Sequence, residues 1–179
     1  MEIRIYFEGN KALRGGFKIF FSELETAARE ARSSLELIAA RDGPHDYRKA
    51  MRSHPQAWNI LLQDSEGPLS TQRVNDVFWM VELMEAWFLA DGAALAGYYG
   101  DGFRLNAIGD TVDVEVVPKT EVVDRLRRAT SNTTKGRYDK VRHAPYLLER
   151  LDSNRVQARA GHCRQLFEAV VAKLSQAEN

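Results

Sequence analysis

A single cysteine, Cys163, stands in a chain of 179 residues, so no disulfide within the chain and no site built from several thiolates can form. A reducing, cytoplasmic setting is expected from that scarcity. Long apolar runs are missing too. Nothing approaches the roughly 20 residues that span a bilayer, and the opening Met1-Glu2-Ile3-Arg4-Ile5-Tyr6-Phe7 lacks the apolar stretch of a signal peptide, so membrane roles are not expected. Charge of one sign is not in excess: Lys plus Arg and Asp plus Glu number 25 each, and the total points to no partner. Several familiar motifs are absent, among them a Gly-rich Walker-type loop, a dinucleotide fingerprint after a strand, a Gly-x-Ser-x-Gly elbow and a His-Glu-x-x-His helix. The four histidines, at 45, 54, 143 and 162, are scattered and give a histidine-dominated zinc site little support. Oxygen ligands are what remain for a metal.

What is present suits one globular domain. The length is enough to bury a sizeable core, and 44% hydrophobic with 28% charged residues is ordinary for a soluble chain. The charges are unevenly spread: residues 1–118 carry 12 basic and 18 acidic side chains, residues 119–179 carry 13 and 7. An asymmetry of this kind often marks a polyanion-binding surface. The expected organisation is an α/β core over 1–118 with a helical, basic region over 119–179 packed on it as one structural unit.

Ile3, Ile5 and Phe7 alternate with Arg4 and Tyr6 and stop at Glu8-Gly9-Asn10, predicting a strand that ends in a carboxylate and a turn. Leu13, Phe17, Phe20, Phe21, Leu24, Ala28 and Ala31 then recur at the spacing of one amphipathic helix over 11–32. Gly15-Gly16 interrupts it, either for close packing of helix on sheet or for phosphate binding. Residues 35–39 predict a second strand closed by Arg41-Asp42-Gly43-Pro44, residues 45–53 a second helix and residues 58–63 a third strand. After a loop at 67–75 a fourth strand follows at 76–81. This order predicts an α/β fold with a mainly parallel four-stranded sheet flanked by helices. Glu82–Ala90 reads as a core helix with Glu82 and Glu85 on one face, its Met and Trp residues serving core packing, and Asp91 caps the next helix. Val112, Val114 and Val116 alternate with Asp113 and Glu115 before Pro118 and predict an extended edge segment. A short helix near 122–126, a loop at 131–136 and helices around 145–151 and 161–174 complete the chain.

Functional groups of parallel α/β sheets gather beyond the carboxyl ends of the strands, where Glu8 and Asp64-Ser65-Glu66 fall. If residues 64–66 stay extended, Asp64 and Glu66 project to the same side. Carboxylates so placed call for a divalent cation, an arginine or water between them. With Glu8 they suit Mg²⁺ or Mn²⁺, hard ions that take few protein carboxylates and complete their shell with water and substrate phosphate. Such an ion serves phosphodiester cleavage by neutralising phosphate and activating water. From Arg125 to Arg164 the chain holds 11 basic against 3 acidic residues. Arg125, Arg127, Arg128, Lys135, Arg137, Lys140 and Arg142 there form either a surface for a phosphate backbone or a solvated face that balances the acidic front. Tyr138 either stacks on a base or caps the core.

The segments Tyr6-Phe7-Glu8-Gly9, Leu62-Gln63-Asp64-Ser65-Glu66-Gly67-Pro68, Trp79 to Asp91 and Lys135-Gly136-Arg137-Tyr138-Asp139-Lys140 together resemble the DUF4276 family of bacterial proteins, a Toprim-like group. The resemblance extends over nearly the whole chain, and Met84-Glu85-Ala86-Trp87-x-x-x-Asp91 is its most specific element. It implies a Toprim-like, Rossmann-like sheet with a glutamate after the first strand and an Asp-x-Asp pair after a later one. That arrangement binds Mg²⁺ for phosphodiester breakage or transfer in topoisomerases, primases and overcoming-lysogenization-defect nucleases. By position Glu8 matches the glutamate, a general acid or base, Asp64 and Glu66 match the metal pair, and Glu85 is an auxiliary acid. The chain departs from the pattern in having Asp-x-Glu and a short loop after Gly9. The resemblance also implies an ABC-type ATPase partner in a bacterial defence module. The expectation is therefore a Mg²⁺- or Mn²⁺-dependent nuclease that holds DNA or RNA on Arg127, Arg128, Lys135, Arg137, Tyr138, Lys140 and Arg142. Its alternative is a non-catalytic nucleic-acid-binding or ATPase-regulatory subunit of the same fold.

Overall fold

Strand β1 (Glu2–Glu8) sends Ile3, Ile5 and Phe7 to one face of the sheet and Tyr6 to the other, as the two-residue period of a strand requires. In the computed structural model, which describes residues 1–67 and 75–177, it is joined by β2 (Ser34–Ala40), β3 (Trp58–Asp64) and β4 (Val77–Met80). The order is β2-β1-β3-β4 and every pairing is parallel. The fold is thus the expected α/β one, a four-stranded parallel sheet flanked by helices with a helical C-terminal region. Most of the loop expected at 67–75 lies outside the described residues. No helix among the described residues is long and apolar enough to cross a membrane.

On one face lie α1 (Leu13–Phe20) and α2 (Ser22–Glu30), two helices where a single one was expected over 11–32. The break is at Phe21, whose backbone leaves the helical region while its buried ring stacks on Phe17 and meets Phe20 and Phe167. Burying that ring redirects the chain. On the other face α3 (Gly43–Ser53) packs Tyr47 and Ala50 against Tyr6, Ala40 and Leu61. It starts earlier than expected because Pro44 sits in its first turn, where the missing N–H is harmless.

Beyond β4 the expected helix over 82–90 shrinks to α4 (Ala86–Ala90). Residues 81–85 form turns instead, held there by Asp64, whose Oδ1 accepts the Met84 N–H at 2.7 Å. Glu82 and Glu85 therefore do not share a helical face. Helix α5 (Gly92–Tyr99) begins as expected, with Asp91 Oδ1 accepting the Ala94 N–H at 3.1 Å. The alternating valines near 114 do not join the sheet. They form a 3-10 turn, Val114–Val116, in which only Val114 is buried. Glu115 is drawn away to the start of α9 (Gly161–Ala177), accepting the His162 N–H at 2.9 Å and meeting its ring at 2.8 Å.

The C-terminal region otherwise holds α6 (Lys119–Thr130), α7 (Lys140–Leu148) and α8 (Ser153–Arg159), the last not foreseen as a separate helix. Helix α7 begins well ahead of Pro145, because the Asp139 carboxylate caps it by accepting the Arg142 N–H. The proline sits inside at the expense of one backbone hydrogen bond. These helices share the core of the sheet: Phe20 stacks on Trp87 and meets Phe167 edge-on. Met80, Met84 and Trp87 are buried there as core packing.

Gly16 packs on α7 and not on the sheet. A Cβ there would lie 2.8 Å from the Pro145 carbonyl oxygen and 2.9 Å from Leu148 Cβ, whereas one at Gly15 would meet only Glu149 Oε1 at 3.6 Å. Gly16→Ala should destabilise the fold by about 1–3 kcal/mol through overpacking, while Gly15→Ala should gain up to about 1 kcal/mol of helix propensity. Denaturant melts of the two variants check this, and equal shifts would rule out the close approach of α1 and α7.

Candidate active site

Strands β2 and β3 flank β1 on opposite sides, so the crossovers diverge between β1 and β3. Open parallel sheets bind ligands at such a switch point, beyond the carboxyl ends of the strands. The two strands that border it end in Glu8 and Asp64. Just past their last ladder pair, Glu8 Oε2 accepts the Asp64 N–H at 3.1 Å. Asp64 Oδ1 is held by Met84, and Oδ2 lies 3.7 Å from Lys140 Nζ. The same ammonium is 3.2 Å from Glu85 Oε2, and Glu85 Oε1 accepts a hydrogen bond from the Tyr138 hydroxyl at 3.0 Å. The side chains of Asp64 and Glu85 are 11% and 3% exposed against 53% for Lys140. The acids form the floor of the site and the cation faces solvent.

Burial lifts the Asp64 carboxyl to about 7; Lys140 and the Met84 N–H oppose the rise, while Glu85 and Glu8 add to it. Burial alone would lower the Lys140 ammonium, but Glu85 and Asp64 outweigh it and leave its pKa raised. The Tyr138 phenol is pushed far up by burial and by Glu85, so it stays a hydrogen-bond donor. Lys140 is the first residue of α7, an end of the helix dipole that disfavours a cation. The two acids offset that preference.

Glu66 departs from expectation. The strand ends at Asp64, and Glu66 adopts a left-handed backbone with φ of 59°, so the chain is not extended over 64–66 and the two side chains do not project together. Glu66 Oε2 instead pairs with Lys119 Nζ at 2.8 Å, at the head of α6, where the Lys119 N–H donates to Glu82 Oε2 at 2.6 Å. The second acid at Asp64 is Glu85, which the sequence ranks only as auxiliary. Lys140 and Tyr138, both expected on a nucleic-acid face, belong to this centre, and the buried Tyr138 ring has no face to offer a base. Of the other basic residues, Arg125 and Arg128 bind Glu121, Lys135 lies over Tyr98, and Arg127, Arg137 and Arg142 project outward without a carboxylate partner among the described residues. The signal that could have revealed Lys140 is its place directly after a capping aspartate.

Among the described residues no three acids, histidines or cysteines stand close enough together to hold a metal ion. The donor chemistry of Glu8, Asp64 and Glu85 is all oxygen, as a hard cation prefers, but the Lys140 ammonium fills the place beside Asp64 and Glu85. A divalent ion fits only in exchange for it, on those two carboxylates. A cavity of about 740 Å³ beside α5 has no such chemistry, since its Arg155 and Arg159 are engaged by Asp91 at 3.1 Å and Asp110 at 3.3 Å.

The profile of one protein family, described as a domain of unknown function, DUF4276, matches residues 70–170, more than half of the chain. No curated protein and no solved structure matches. The matched span includes Glu85, Tyr138 and Lys140 and leaves out Glu8 and Asp64.

Because the folded state holds the Asp64 proton up to about 7 against an ordinary 3.8, its contribution to stability is full below the ordinary value and is lost as pH rises through the folded one. Asp64→Asn, neutral and of the same shape, should therefore melt above wild type without divalent ions. The gap should widen from about pH 5 to about pH 8, reaching several degrees. A variant that melts below wild type at the higher pH would mean that the ionised pair with Lys140 outweighs the burial of Asp64.

Proposed function

The chain belongs to the DUF4276 family, and from that premise we propose that it is a phosphodiester-cleaving protein of Toprim type, with Glu8, Asp64, Glu85 and Lys140 as its reaction centre. One observation carries this reading: two carboxylates end the strands that border the switch point, and a solvent-facing ammonium stands 3.7 Å from one of them. Mg²⁺ or Mn²⁺, held by Asp64 and Glu85 in exchange for Lys140 with water and substrate phosphate completing its shell, would neutralise phosphate charge and make a water more acidic.

The chain's own side chains account for the remaining work. The Lys140 ammonium pairs with a non-bridging phosphate oxygen, a point charge on a flexible stem that can leave the carboxylates for the substrate. Glu8 Oε2 is engaged by the Asp64 N–H, which leaves Oε1 to take the proton of the attacking water. The water oxygen forms the new bond to phosphorus, the P–O ester bond breaks, and its electron pair departs on the ester oxygen, which takes a proton from solvent. Tyr138 fixes Glu85, and Met84 fixes Asp64. Arg127, Arg137, Arg142 and Lys135 supply the sequence-independent attraction to a phosphate backbone. Work in the cytoplasm beside an ABC-type ATPase partner, in a defence module, belongs to the same proposal and is supported by the resemblance alone. A second reading, a non-catalytic nucleic-acid-binding or ATPase-regulatory subunit, is favoured by Lys119 and Lys140 already standing against the acids.

Cleavage of DNA and RNA with Mn²⁺ tests the proposal. Asp64→Ala and Glu8→Gln should each lose at least about 100-fold in rate, whereas Glu66→Gln should stay within a few-fold because its carboxylate faces Lys119. Mn²⁺ should raise the melting midpoint of Lys140→Met more than that of wild type, since no ammonium competes; equal shifts would remove the exchange. Absence of cleavage with every divalent ion, alongside binding that charge reversal at Arg127 and Arg137 abolishes, would establish the second reading instead.

A further inference from the structure

Away from the carboxylates, Tyr98 at the end of α5 and Tyr146 on α7 lie nearly parallel, with ring centroids 6.3 Å apart and 13° between their planes. They line a concavity of about 310 Å³ with Lys135, Arg142 and His143. Lys135 Nζ stands 5.1 Å from the Tyr98 ring centre and the Arg150 guanidinium 5.2 Å. Packing accounts for Tyr98, which is half-buried and meets Tyr99 and His143 edge-on. It does not account for Tyr146, which is 52% exposed. Arg150 has Glu149 within 3.8 Å, but Lys135 and Arg142 have no carboxylate partner among the described residues. Arg142 and Tyr146 are one helical turn apart and so share a face of α7. His143 is not a free ligand there, because its Nδ1 accepts the Asp139 N–H at 3.0 Å.

An exposed ring that continues a stack, bordered by cations without a carboxylate partner, is the chemistry that recognises an unpaired base and its flanking phosphates. A duplex hides the faces of its bases in its own stack, so only a single strand can present one. We propose that this concavity is a stacking platform for single-stranded nucleic acid, in which a base lies on the open face of Tyr146 and Lys135 and Arg142 hold the neighbouring phosphates. The proposal rests on the phosphodiester-cleaving reading and narrows its substrate to single strands. Helix α7 links the two places: Lys140 opens it at the acidic centre, and Tyr146 lies about 9 Å further along its axis.

The test is fluorescence anisotropy with a labelled oligothymidylate of about 12 nucleotides, its duplex as control, and a chelator present to prevent cleavage. Tyr146→Ala should weaken single-strand binding about tenfold with an unchanged melting midpoint, Tyr146→Phe should bind like wild type, and the duplex should not distinguish them. Replacing Lys135 or Arg142 by Met should lower the salt dependence of single-strand binding, about 0.7 in log–log slope for each phosphate no longer neutralised. Equal binding by wild type and Tyr146→Ala overturns the platform, and so does the absence of any single-strand binding. Cleavage with Mn²⁺, measured separately, divides the two ideas. Cleavage alongside single-strand binding that ignores Tyr146 sinks the platform alone, whereas Tyr146-dependent binding without cleavage sinks the cleavage reading and leaves the platform standing.

Discussion

Carboxylates placed together at the end of a buried sheet demand a counter-charge, and in this protein Lys140 answers that demand. Its ammonium lies against Asp64 and Glu85, and the arrangement ties the sheet to the helical region by charge as well as by packing. Asp64 in turn holds Met84, which keeps residues 81–85 in turns and delivers Glu85 to the site. Glu85 takes the Tyr138 hydroxyl and anchors the approach to α7. Lys119 does something similar at the head of α6, where its ammonium pairs with Glu66 and its backbone N–H donates to Glu82. Both lysines open helices against the dipole's preference, a placement that makes sense only with the acids in front of them.

The sheet was legible because its signal is local. Alternation in residues 3–7 and an apolar run ending at Asp64 are visible within a few positions, and the parallel order of the first three strands follows from the helices between them. With it came Glu8 and Asp64, since strand ends are where a parallel sheet exposes its chemistry. What escaped depends on partners distant in sequence. Lys140 reads as one more charge in a basic run until packing brings it to an aspartate 76 positions earlier. Glu115 breaks the valine alternation because His162 claims its carboxylate. Tyr138 lies between Lys135 and Lys140 in sequence yet turns inward to Glu85.

Two local rules were overridden for identifiable reasons. Gly67 signals a turn after Glu66, but the chain bends earlier, at Glu66 itself, where its backbone N–H donates to the Glu82 carbonyl and its side chain reaches Lys119. That bend separates Asp64 from the residue expected to act with it. Pro145 signals a helix start, but the cap at Asp139 starts α7 earlier and leaves the proline carbonyl facing Gly16. At Glu66 partners distant in sequence outweighed the local preference, and at Pro145 a neighbouring cap did so.

The lysine at the head of α7 also bears on the order in which the molecule comes into being. The acids it neutralises all belong to the first half of the chain, which leaves the ribosome earlier and can collapse as a sheet while its partner charge is still being made. Until residue 140 emerges, that half carries Asp64 and Glu85 without their cation, and the pocket they line favours protonated acids or solvent in its place. Completion of the last helices is then an electrostatic event as much as a hydrophobic one. The core and the charge balance of the centre are both completed only with the chain's final third.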